Sequence, residues 1–97
     1  PPGLRIAAQT LTERAPGLTV WRVDVVGKAA RVEFLVDGSL RGSDVAGPYT
    51  FGWSTVAERP GPHVLTARAV AASGKVVQAS ISGTVPAPPE SAGTPAP

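Results

Sequence analysis

Arg31-Val32-Glu33-Phe34-Leu35-Val36-Asp37-Gly38-Ser39 reads RVEFLVDGS, and the phase of its side chains decides the fold. In an extended chain successive side chains point to opposite faces. Val32, Phe34 and Val36 therefore share one face, and Arg31, Glu33, Leu35 and Asp37 take the other. One apolar and one wettable face is the pattern of a half-buried strand. The strand runs into Asp-Gly, the dipeptide preferred where a hairpin turn needs positive φ, so Asp37-Gly38-Ser39 predicts a change of chain direction. A calcium loop would need D-x-[DN]-x-[DN]-G, whereas DGSLRGSD offers only Asp37 and Asp44, with Arg41 between them to compete with a cation.

The same grammar extends in both directions. Apolar residues alternate with polar ones in short runs punctuated by glycine and proline, and no helix of about 10 residues emerges. The expected strands are about Leu4 to Gln9, Leu18 to Val26, Ala30 to Asp37, Tyr49 to Ser54, His63 to Ala71 and Val76 to Val85, with a short edge strand near Ser39 to Gly42. Trp21, Val23 and Val25 oppose Arg22 and Asp24, and Tyr49, Phe51 and Trp53 oppose Thr50 and Gly52. Leu65, Ala67 and Ala69 oppose Thr66 and Arg68, and Val77, Ala79 and Ile81 oppose Gln78, Ser80 and Ser82. Two antiparallel sheets packed face to face would bury all these stripes together. Pro60-Gly61-Pro62 is expected to be a turn leading into the strand at His63, because proline supplies no ladder donor. Ser73-Gly74-Lys75 divides the last two runs as a hairpin does.

With 97 residues the chain has room for one core. It has no cysteine, which excludes disulfides, thiolate nucleophiles and cysteine-ligated metal. Methionine and asparagine are also absent, and arginine outnumbers lysine seven to two. That bias fits either a harsh working environment or a GC-rich genome, and it leaves no N-x-S/T acceptor for glycosylation. The net charge is +2, but Arg5, Arg14, Arg22, Arg31, Arg41, Arg59 and Arg68 are scattered singly, which is not the footprint of a nucleic-acid binder. No leader and no apolar run long enough for a membrane span occurs in these residues, so no membrane insertion is expected and the piece reads as an excised or processed segment. Residues 86–97, PAPPESAGTPAP, have the composition of a semi-rigid linker, and residues 1–3 that of the end of another. The folded body is expected over residues 4–85, a bead in a longer string and a monomer.

The order VEFLVDG, GPYTFGWST, PGPHVLTARAV and SGK, from Val32 to Lys75, resembles the bacterial immunoglobulin-like (Big) domains of secreted and cell-surface proteins. The matching positions are Val32, Glu33, Phe34, Val36, Asp37, Gly38, Pro48, Tyr49, Phe51, Trp53, Gly61, His63, Leu65, Ala67, Ala69 and Gly74. The resemblance implies an all-β, immunoglobulin-like antiparallel sandwich of about seven strands, sitting as a spacer or accessory module beside catalytic or adhesive domains. Where such domains often carry an Asp after the tryptophan and Asp-x-x-Gly-Asn at the last hairpin, this chain has Ser54, Ala71 and Lys75. No catalytic residue is carried over.

Chemistry-bearing residues are sparse. His63 is the single histidine, without a second histidine or cysteine for zinc and without a flanking acid in sequence to orient it, so it reads as a strand-end packing residue. A glycosidase pair would have to be drawn from Glu13, Asp24, Glu33, Asp37, Asp44, Glu58 and Glu90, and a small sandwich offers little cleft to hold one. No G-x-S-x-G and no phosphate-binding loop occurs. Flat sugar rings stack on exposed aromatics, which makes Trp21, Tyr49 and Trp53 the candidate ligand contacts. All three nevertheless fall on the apolar phase of their strands. Leu35, on the opposite face, is the candidate exposed apolar contact. The expectation is a non-catalytic accessory or spacer module of an exported, multidomain bacterial protein, with no cofactor or metal and with neighbouring domains of the same chain as partners. The alternative is a carbohydrate-binding module attached to a polysaccharide-degrading enzyme, with polysaccharide as the partner.

Overall fold

The computed structural model describes residues 3–86. The linker assignments for Pro1-Pro2 and for residues 87–97 lie outside the described residues. Seven strands follow one another: β1 (Arg5–Ala15), β2 (Leu18–Val26), β3 (Arg31–Val36), β4 (Ser39–Asp44), β5 (Tyr49–Ser54), β6 (Gly61–Val70) and β7 (Val76–Val85). No helix occurs among the described residues. One sheet has the order β1-β2-β5 and the other β4-β3-β6-β7, with every pairing antiparallel. The molecule is thus an all-β sandwich of two antiparallel sheets.

The apolar stripes meet between the sheets. Trp21, Phe34, Leu65, Val32, Val36, Ala67 and Ala69 are fully buried, and Val23 and Trp53 nearly so. Phe34 is the hub: Trp21 meets it edge-on with centroids 5.0 Å apart, and Phe51 stacks on it at 5.5 Å. Such pairs stabilise a core beyond the area they bury. At the other end of the core Trp53 lies against β7, where a Cβ on Gly83 would stand 3.0 Å from Trp53 Cζ3 and 2.9 Å from Leu65 Cδ1. Only a residue without a side chain lets β7 approach the indole this closely.

Gln9 joins the sheets along one side. Its amide nitrogen donates to Ala79 O of β7 at 3.0 Å, and its amide oxygen accepts from Trp21 Nε1, also at 3.0 Å. A single side chain therefore satisfies a fully buried indole N–H and one carbonyl of a sheet edge.

Three expectations are corrected. β1 runs six residues past Gln9, to Ala15, because it forms a long hairpin with β2 through Pro16-Gly17. Proline followed by a glycine at φ +82° is a type II turn combination, whose punctuation outranked the weaker Thr10 to Ala15 alternation. β6 begins at Gly61 and contains Pro62, paired with Thr84. Val64 N–H points away from β7, toward Asp37 Oδ1, and by the two-residue period the Pro62 nitrogen lies on that same edge, past the end of β3, where no ladder bond is lost. Leu35 is buried at 8% exposure. β3 is an inner strand, and Leu35 is flanked by its register partners Leu40 and Thr66, so Leu40, at 57% exposure, takes the outer position instead.

Candidate functional site

The strand directions separate the two poles of the sandwich. Leu4 lies at the pole of the β2–β3, β4–β5 and β6–β7 connections. Val85 pairs with Gly61 at the opposite pole, with the β1–β2 and β3–β4 turns and the loop of residues 55–60. Seven strands that reverse at every connection must begin and end at opposite poles. The polar cluster with the most unusual geometry sits at the pole where β7 ends.

It is built on the Asp37-Gly38 turn. Asp37 has φ 51° and Gly38 φ 83°, the two successive positive values of a type I′ hairpin. The turn is closed onto β6 by backbone and side chain together: Asp37 N–H donates to Val64 O at 2.8 Å, and Asp37 Oδ1 accepts from Val64 N–H at 2.9 Å. The second carboxylate oxygen is 2.6 Å from His63 Nδ1, while His63 Nε2 is 2.6 Å from Arg59 O. A carboxylate and a carbonyl can only accept, so satisfying both contacts requires both ring nitrogens to donate, as they do in an imidazolium. The pKa directions agree. His63 is raised above the usual histidine value, by the Arg59 carbonyl first and then by Asp37. Asp37 is held below the usual carboxylate range by the Val64 N–H and then by His63.

The loop is tied down a second time. The β3–β4 register skips a residue after Leu40, which leaves Arg41 unpaired in the ladder. Its guanidinium reaches Glu58 in a two-pronged contact, 2.6 Å at one oxygen and 3.4 Å at the other. Arg41 lowers the Glu58 pKa in turn. A depression of about 540 Å³ opens between Asp37, Glu58, Arg59, Pro60 and His63. Trp53 meets the His63 ring edge-on at 5.8 Å, and its indole N–H helps to lower the Glu58 pKa.

The arrangement fastens a loop to a turn. His63 has no free lone pair with which to take a proton, and each oxygen of Asp37 is already occupied. The acid that orients His63 comes from 26 residues away in sequence. The available signals were the inward phase of His63 with Leu65 and Ala67 and the place of Asp37 at the end of the neighbouring strand.

A second charged group lies on the outer face of the four-stranded sheet, beside a depression of about 740 Å³. Glu33 accepts from Arg31 Nε at 2.8 Å and from Arg68 Nε at 2.6 Å. These two arginines hold its pKa below the usual carboxylate range. Among the described residues no three His, Asp or Glu side chains gather into a cation site.

Of the candidate sugar contacts, Trp21 is fully buried, Trp53 is 2% exposed and Tyr49 is half-buried. Trp21 packs against Phe34 and Tyr49 lies against the margin of the core, whereas Trp53 meets His63 at the pole where the chain leaves. The structure does not bring the three together on one wetted face.

A family model described as a bacterial Ig domain matches residues 7–67. Fibronectin(III)-like modules of Clostridium thermocellum CbhA, a solved structure, are similar at 28% identity over 69% of this chain and 76% of that one, with a TM-score of 0.56. No curated protein sequence matches the chain.

Proposed function

The chain belongs to the bacterial Ig domain family, and from that premise we propose that it is a non-catalytic accessory module that spaces and orients its neighbours in an exported multidomain protein. The observation that carries this reading is polarity: the chain enters at one end of the sandwich, at Leu4, and leaves at the other, at Val85. A ten-residue strand such as β7 spans about 33 Å, so neighbours attached at the two poles are held at least that far apart. The kinship with fibronectin(III)-like modules supports the accessory role.

The module works as a monomer, and its edges support this. Asp44 accepts from Thr50 N–H on the outer edge of β5 at 3.2 Å, which removes a donor that another strand would use. β1 is interrupted by register shifts near Ala7 and Arg14.

The test sets residues 3–86 between a donor and an acceptor fluorescent domain. A single narrow transfer distribution is expected, broadening when the module is exchanged for a glycine-serine segment of equal length. An equally broad distribution for both would refute the spacer reading. Turnover of any substrate by the isolated body, abolished by replacing one carboxylate, would refute the non-catalytic one. Retardation in affinity electrophoresis on cellulose, xylan, chitin or mannan would favour the carbohydrate-binding alternative.

A further inference from the structure

We propose that His63 is a proton-dependent clasp that fastens the loop of residues 55–60 to the Asp37-Gly38 turn and releases the loop when the ring loses one proton. Donors and acceptors around the ring decide its state. Nδ1 faces the Asp37 carboxylate and Nε2 faces the Arg59 carbonyl, each at 2.6 Å, and neither partner has a hydrogen to give. A neutral imidazole carries one N–H and one lone pair. Deprotonation therefore leaves a lone pair facing an oxygen on one side of the ring.

The side that fails is set by strength. A carboxylate accepts more strongly than a carbonyl, so the remaining proton stays on Nδ1 against Asp37, and the Arg59 contact is lost. Asp37 itself is anchored by Val64 N–H and by its own backbone bond to Val64, which keeps the turn in place. Every charged group that faces the ring acts in this balance. Asp37 from the β3–β4 turn and Glu58 from the loop favour the charged ring, and Arg41 of β4 divides its charge between Glu58 and Asp37. Trp53 of β5 contributes an uncharged edge contact, and the β7 partner of His63 is Gly83, which has no charge to add.

The loop is otherwise lightly held. Its ties include Thr55 N–H to Gly17 O at 2.8 Å, Glu58 N–H to Thr55 O at 3.1 Å and the Arg41–Glu58 pair, with the Trp53 indole beside the Glu58 carboxylate. It ends at Gly61, the register partner of Val85, so its release loosens the pole from which the chain leaves. The raised pKa of His63 sets the direction: the clasp is closed below the ordinary histidine value and opens only at a pH above it. The inference stands whether or not the module is a spacer.

The test is hydrogen exchange followed against pH, with protection corrected for the intrinsic chemical rate, alongside the His63 ring nitrogen shifts. As the ring titrates, protection of the Thr55 and Glu58 amides is expected to fall about five- to tenfold, as for the loss of one hydrogen bond. Protection of the Ala67 amide in mid-β6 is expected to stay constant. Asp37→Asn keeps a residue that tolerates positive φ and is expected to move the step to lower pH. His63→Gln is expected to hold loop protection low at every pH. Loop protection that does not change across the ring titration would overturn the proposal. So would a parallel loss at Ala67, or an Asp37→Asn step at the parent's pH.

Discussion

Replacing Gln9 by methionine, which keeps the length of the side chain and removes its amide, tests how the sandwich is closed. The Trp21 indole N–H, fully buried, would lose its acceptor at 3.0 Å, and Ala79 O would lose its donor at 3.0 Å. An orphaned buried donor costs about 1–3 kcal/mol, and the second hydrogen bond is worth about 0.5–1.5 kcal/mol. Burying a thioether in place of an amide returns about 1 kcal/mol. The net loss is then about 2 kcal/mol, against a total stability of about 4–12 kcal/mol for a body of this size. At about 4–8 °C per kcal/mol, the melting temperature falls by about 8–16 °C. Urea denaturation monitored by tryptophan fluorescence reads this directly, as a lower midpoint with an unchanged slope. Gln9→Glu separates the two bonds: a carboxylate still accepts from Trp21 but has no hydrogen for Ala79 O until it is protonated. Its deficit relative to the parent is therefore expected to shrink as the pH is lowered. If Gln9→Met lies within about 0.5 kcal/mol of the parent, an apparent effect no larger than an ordinary surface change, the reasoning fails.

Other outcomes follow from the same geometry. Gly83→Ala drives a methyl against Leu65 and Trp53, and overpacking of this kind is expected to cost about 1–3 kcal/mol in urea denaturation. The stability of the parent is expected to decline on acidification through the depressed pKa values of Glu33, Asp37 and Glu58, because their folded-state pKa values lie below the unfolded ones. Glu33→Gln should remove part of that acid limb, read as melting temperature against pH. On the alkaline side the sign reverses. The raised pKa of His63 contributes stability that is complete below its unfolded value and is lost as the pH rises through the folded one, so His63→Gln should flatten the decline above the ordinary histidine value.

What could be read from residue order was whatever depends on local phase. The alternation of Val32, Phe34 and Val36 against Glu33, the Asp-Gly turn and the spacing of the later strands are sufficient for an all-β sandwich, and all three features stand in the structure. Phase says which face a side chain takes, and for Trp21 and Phe34 that face is the core.

It does not say which strand lies alongside. The polar-side phase of Leu35 predicts a surface position, and only the placement of β3 between β4 and β6 buries it. Pro62 predicts a break in the strand, and only the end of β3 leaves an edge of β6 on which a missing donor costs nothing. The clasp joins Asp37 to His63, and Gln9 joins Trp21 to Ala79, across separations that no local pattern encodes. Residue order alone determined the inward faces of β2, β3, β5, β6 and β7 and the Asp37-Gly38 turn, because these are properties of short segments. Tertiary structure alone decided the neighbours of each strand, and with them the one imidazole that meets two acceptors, because a hydrogen bond between distant segments exists only once both have been brought to within about 3 Å.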